Sequence, residues 1–172
     1  GNGKPYVVDG DTRQRRTLAL IDVDEDRFYA VDLYRIHGGR EIYWTFHAQE
    51  DEGFQTEGLN LTAQEKGTVA GEDVPYGDEK WLKANGCRRN TYGFYGPMFG
   101  LAHLYNVQRD AASSAWSADW TIKGSGGLHF GLHVAETDGA ETIVCDAKSP
   151  AGSSPYEMKF LLMHKNTPPP VA

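Results

Sequence analysis

The chain has 172 residues, 40% hydrophobic and 12% aromatic, a composition that suits one compact domain with a substantial core. Its 24 acidic and 17 basic residues leave a net charge of -7, a field that disfavours nucleic acid, anionic lipid and sulfated or uronic polysaccharides unless a local basic patch intervenes. No run approaches the roughly 18 consecutive apolar residues of a membrane span, and the opening GNGKPYVVDG lacks the basic-then-apolar order of a signal peptide.

Most segments alternate with a period of two or are short β-rich runs, with Gly, Asp and Pro between them about every ten residues. That spacing predicts an all-β, antiparallel β-sandwich. TLALID (17–22), RFYAVDLYRI (27–36) and EIYWTFHA (41–48) read as consecutive strands. Asp22, Asp24 and Asp26 begin like a calcium loop, but Arg27 and Leu33 stand where the EF-hand pattern needs Gly and a bidentate Glu. An acidic turn facing water is the reading that remains. A second turn, at Gly38-Gly39, reads as a tight hairpin, because paired glycines supply the positive φ angles it requires. On the strand that follows, Trp44 and Phe46 share one face and Glu41, Tyr43, Thr45 and His47 the other, which places His47 on the outer, polar side.

Further strands are expected at 59–64, 67–74, 101–110, 115–123, 127–136, 140–148 and 156–165, making about ten in a supersandwich-like arrangement. Between Pro75 and Pro97 periodicity fails, and an ordered loop with a helical turn near DEKWLKA is expected. Residues 1–165 read as a single β-sandwich domain and 166–172, NTPPPVA, as a Pro-rich terminal tail.

Several enzyme classes drop out. The chain has no Gly-x-Ser-x-Gly elbow, no cysteine in a recognisable nucleophile setting and no Gly-rich phosphate loop between strand and helix. His129 and His133 share a strand face, but at about 3.3 Å per residue they lie roughly 13 Å apart, too far for one metal ion. No metal and no cofactor are expected. Cys87 and Cys145 could form a disulfide or remain two buried thiols. Arg13, Arg15 and Arg16, and the pair Arg88 and Arg89, are the candidate basic patches, each read as a solvated rim. Trp116 and Trp120 lie on one face of WSADW, either as a buried pair or as a stacking platform for a glycan, and His47 joins them as a candidate carbohydrate contact.

The segment DRFYAVDLYRIHGGREIYWTFHAQEDEGF resembles a stretch of heparinase II/III-like polysaccharide lyases that reads aromatic-x-Val-Asp-hydrophobic-aromatic-Arg-Val-x-Gly-Gly and then, a few residues on, aromatic-x-aromatic-His. Asp32, Arg35, Gly38, Gly39 and His47 fall at the matching positions, and NVQRDAASSAWSADWTI, GLHFGLHVAE and YEMKFLLMHK are similar to later strands of such proteins. The resemblance implies a large bacterial enzyme, periplasmic or secreted, in which an α/α toroid precedes stacked antiparallel sheets. Such enzymes cleave acidic polysaccharides such as heparin, heparan sulfate or alginate by β-elimination, a base taking the proton α to the uronate carboxyl while an acid protonates the leaving oxygen. The family's Tyr, Asn and His catalysts and its structural metal site belong to regions whose motifs are not found here. YVVDG, Tyr6 to Gly10, resembles the strand just beyond the last metal-binding His. The resemblance therefore implies a non-catalytic C-terminal β-sandwich that supports a neighbouring catalytic domain, is inactive alone, and meets acidic polysaccharide through its parent, with no nucleic-acid or membrane partner. Two other readings stay open: an independent carbohydrate-binding module and a structural β-sandwich without a glycan role.

Overall fold

The computed structural model describes residues 12–39, 41–49, 51–91, 93–96, 98–111, 113–149 and 157–166. The strand expected at Tyr6–Gly10 and the tail beyond Asn166 lie outside the described residues. The chain is all-β and antiparallel, and it divides into two compact units, Gly1–Ile42 with Asn166–Ala172, and Tyr43–Lys165.

The first unit carries a two-stranded ribbon, β1 (Arg13–Asp22) and β2 (Phe28–His37), paired over ten residues without a register shift. Its turn is the acidic one expected. Asp24 caps it, its carboxylate accepting from the Asp26 amide at 3.1 Å and from Arg27 Nε at 2.8 Å. Alternation along the ribbon puts apolar side chains on both faces, so Leu20 and Phe28 on one side and Leu33 on the other are each more than half exposed.

The turn at Gly38-Gly39 is not a hairpin. Both glycines have the expected positive φ, 77° and 85°, but β3 (Glu41–His47) does not pair with β2; it joins a sheet of the second unit. The left-handed pair lies in the connection between β2 and β3.

That sheet has five strands in the order β3, β12 (Glu157–Asn166), β11 (Glu141–Lys148), β8 (Leu104–Asp110), β5 (Thr62–Ala63). A three-stranded sheet, β10 (His129–Val134), β9 (Trp116–Ile122), β4 (Asp51–Glu57), covers one of its faces. Between them Trp116, Ala118 and Trp120 meet Val144 and Leu161, and Phe46, Phe54 and Leu132 close the edges. The opposite face, with Ile143, Cys145, Ala147, Met158 and Leu162, is covered by Val69 and by Leu101 of a 3-10 turn, Phe99–His103. Outside that turn lies the short helix α1 (Glu79–Ala84), where DEKWLKA predicts it, with Asp78 capping the Trp81 amide at 2.8 Å and Leu82 fully buried. A small hairpin, β6 (Arg88–Asn90) and β7 (Gly93–Tyr95), adds Phe94 to this outer layer.

The expected strand at 67–74 is a loop instead. Gly67 has φ +79°, and a Cβ there would lie 2.3 Å from the Gly71 carbonyl, so the backbone folds back on itself at a point only glycine can occupy. The alternation expected along β3 holds, but its Tyr43 face is not wholly an outer one. Because both faces of the five-stranded sheet are covered, Phe46 packs on one core cluster and Tyr43 on the other, stacked flat on His164 at 4.3 Å. Trp44 is only half buried.

Trp120→Ala is expected to cost about 3 to 5 kcal/mol, because this indole is 0% exposed at the centre of the sheet-to-sheet core. Trp44→Ala should cost clearly less. Denaturant unfolding of both variants beside the parent protein reads the difference directly from the midpoints.

Candidate functional site

One face of the five-stranded sheet changes character along its length. On β11, Val144 belongs to the core, while Asp146 and Lys148, the next residues on that face, are charged; on β12, Leu161 gives way to Lys159 and Glu157 in the same manner. Asp146 and Lys159 are register partners, and their side chains meet at 2.5 Å. Asp146 also accepts a 2.8 Å hydrogen bond from Asn106 Nδ2. Asn106 reaches it from a bulge, where β8 shifts register against β11 and Asn106 takes φ +51°, a conformation that Asn tolerates better than most residues.

The residue before this bulge, Tyr105, stands opposite Asp146, and its hydroxyl donates a short hydrogen bond to Glu157. Tyr76 stands edge-on to Tyr105 at 5.6 Å and to His103 at 5.2 Å, and Phe99 packs on His103 at 4.8 Å. Tyr76 is held by its neighbour in the loop, Gly77, whose amide donates to the Ala102 carbonyl at 2.7 Å. The Lys148 ammonium lies 5.4 Å from the Tyr76 ring centroid and 5.5 Å from that of Tyr105, and it has no carboxylate partner among the described residues. Tyr76 remains 48% exposed. The result is an aromatic surface carrying the Lys148 ammonium, opposite its register partner Glu157 and beside a carboxylate, Asp146, that is paired with Lys159.

Burial, reinforced by the Glu157 carboxylate, holds the Tyr105 phenol well above its ordinary range, so it stays a hydrogen-bond donor. On the opposite face of β11, burial and then the Asp146 charge push the Cys145 thiol up to about 12, which keeps it protonated and poorly nucleophilic. Cys87 is buried in a different cluster, and the two sulfurs form no disulfide.

Of the two readings of Trp116 and Trp120, a buried pair or a carbohydrate platform, the structure has the buried pair. They are 4% and 0% exposed, and stacking on a sugar needs an open indole face. His47 is exposed at the sheet edge, stacked on Phe160 at 4.8 Å with Nδ1 2.9 Å from the Ala48 carbonyl. The structure does not bring it together with the two tryptophans in an open site. Of the motif residues in the first unit, Asp32 receives Arg16 in a two-pronged pair, with Nε at 3.0 Å and Nη2 at 2.7 Å. Arg35 stands opposite Arg15, on the ribbon's other face, beside a shallow cleft. Arg89 pairs with Glu79 at 2.9 Å. Among the described residues, no group of three or more His, Cys, Asp or Glu side chains gathers closely enough to hold a metal ion, and no helix is long and apolar enough to cross a membrane.

Sequence reasoning missed Tyr76, His103, Tyr105 and Lys148. The available signal was the pair of charges, Asp146 and Lys159, interrupting the otherwise apolar runs ETIVCDAK and EMKFLLMHK. No family model, curated protein or solved structure matches the chain.

Two buried or partly buried groups with raised values, Cys145 and Tyr105, make stability depend on alkaline pH. Folded values above the unfolded 9.0 for Cys145 and 10.0 for Tyr105 mean that the folded state holds these protons more tightly. Their contribution to stability is therefore whole below about pH 9 and is lost as pH rises beyond it. Thermal unfolding midpoints should fall across this alkaline window, and Tyr105→Phe should fall less steeply than the parent between about pH 10 and 12.

Proposed function

We propose that the chain is a non-catalytic β-sandwich that contacts acidic polysaccharide through the Tyr76 surface, as the C-terminal portion of a heparinase II/III-like lyase whose catalytic groups lie elsewhere. The observation that carries the glycan reading is the Lys148 ammonium over two phenol rings, one of them half exposed, in no ion pair among the described residues although Glu157 is its register partner. A sugar ring can lie against the Tyr76 face through its C–H groups while a uronate carboxylate or a sulfate pairs with Lys148. The partly buried Asp146–Lys159 pair and the Tyr105–Glu157 hydrogen bond fix the floor on which these two groups stand. The parent's identity rests on Asp32, Arg35, Gly38, Gly39 and His47 in their matching spacing.

Calorimetric titration with heparin and alginate hexasaccharides tests the reading. Tyr76→Ala and Lys148→Gln should each weaken binding about tenfold, a loss of about 1.4 kcal/mol. The unfolding midpoint should stay unchanged. An acidic hexasaccharide that binds both variants as well as the parent protein would remove this surface from consideration. Release of unsaturated uronate by the chain alone would show that it is catalytic after all.

A further inference from the structure

The outer face of the three-stranded sheet contains a glycine that the fold does not require. Gly131 lies in the interior of β10, directly opposite Asp119 of β9, in a ladder that runs from His129 to Val134 without a register shift. Its φ is not in the left-handed region, so neither a bulge nor a turn calls for it. A Cβ at this position would meet only His133 Nε2, at 3.6 Å, an ordinary contact. Glycine in the middle of a strand weakens it, and one physical reason to have it there is the close approach of another molecule.

What surrounds the bare backbone is chemically specific. His129 and His133 flank Gly131 on the same face, two residues to either side, and both are exposed. His129 Nδ1 is 2.7 Å from Asp119 Oδ1, which fixes the carboxylate and leaves its other oxygen without a protein partner among the described residues. The His133 ring leans back toward the glycine. A flat backbone floor is thus edged by a carboxylate acceptor and by imidazoles that both donate and accept. Adjacent hydroxyl groups need this alternation. Asp119, and Glu57 across the sheet beside Ser117, disfavour an anion.

We infer that this face is a second ligand site, for a neutral, hydroxyl-rich sugar residue seated on Gly131, separate from the Tyr76 surface. It rests on the glycan-contacting reading above but uses none of that surface's residues.

The test follows the imidazole C–H signals of His129 and His133 by NMR during titration with neutral hexasaccharides of glucose, xylose and mannose, with a heparin hexasaccharide beside them. A saturable shift with at least one neutral sugar is expected, unaltered by Tyr76→Ala. Gly131→Val should weaken that binding at least tenfold while raising the unfolding midpoint, since valine favours a strand and the space is open. A glycine kept only for folding would give the reverse. Asp119→Asn supplies a second variant, expected to weaken binding without global unfolding, should Gly131→Val fail to fold. The inference is overturned if no neutral sugar shifts the imidazole signals, or if a folded Gly131→Val protein binds as well as the parent. Failure of the heparin arm alone removes the Tyr76 reading and leaves this site standing.

Discussion

Six consecutive residues of β11, Thr142 to Ala147, are buried, and this strand dictates most of what surrounds it. A strand buried on both faces needs two layers of cover and a partner on each edge. The edges are met by β12 and β8, one face by the tryptophan-bearing sheet, and the other by a loop, a 3-10 turn and a short helix. The polar members of the run are satisfied locally. Thr142 shares a 2.6 Å hydrogen bond with Ser113, whose carbonyl accepts from Thr137, and Asp146 is held by Lys159 and Asn106. Leaving any of these groups unpaired in the interior would cost about 1 to 3 kcal/mol.

The same constraint explains why a binding surface can exist where it does. The face of the five-stranded sheet that is core at Val144 continues into charge at Asp146 and Lys148. Tyr105 and Lys148 there stand on strands whose other end is locked into the core, and Tyr76 stands on a loop tied down by the Gly77 amide, which limits how far they can move. A ligand would therefore meet a surface whose ordering cost has been met largely by folding itself. The bulge at Asn106 contributes by turning one amide onto Asp146 and leaving Tyr105 facing Glu157.

Much of this fold is legible in the sequence, and the failures have identifiable causes. Alternation locates the strands from Arg13 to His37 and from Leu104 to Asn166 to within a few residues. It misses β4, DEGFQTE, because Phe54 is its only large apolar side chain and a bulge at its start breaks the period. It overreads GTVAGEDV, where Gly67 and Gly71 require positive φ and make a loop of apparently strand-like residues. At Gly38-Gly39 the local conformation is right and the pairing wrong, since two positive φ angles turn a chain without saying what it turns toward. The candidate surface is harder still. Period-two arithmetic puts Trp116 and Trp120 on one face, but only the packing of one sheet on another tells whether that face is wet. Tyr76, Tyr105 and Lys148 come from three separated segments, and nothing in any one of them marks the others.

The buried tryptophan pair has a spectroscopic consequence. Trp116 and Trp120 sit among aliphatic and aromatic side chains, and neither indole nitrogen has a hydrogen-bond partner among the described residues. Indoles in such surroundings, shielded from water and without a donor bond, emit toward the blue. Their emission will move to the red only when the two sheets separate and water arrives. Two of the four tryptophans thus report sheet separation, and a sugar could occupy the Tyr76 surface or the Gly131 floor without changing the surroundings of either of these indoles.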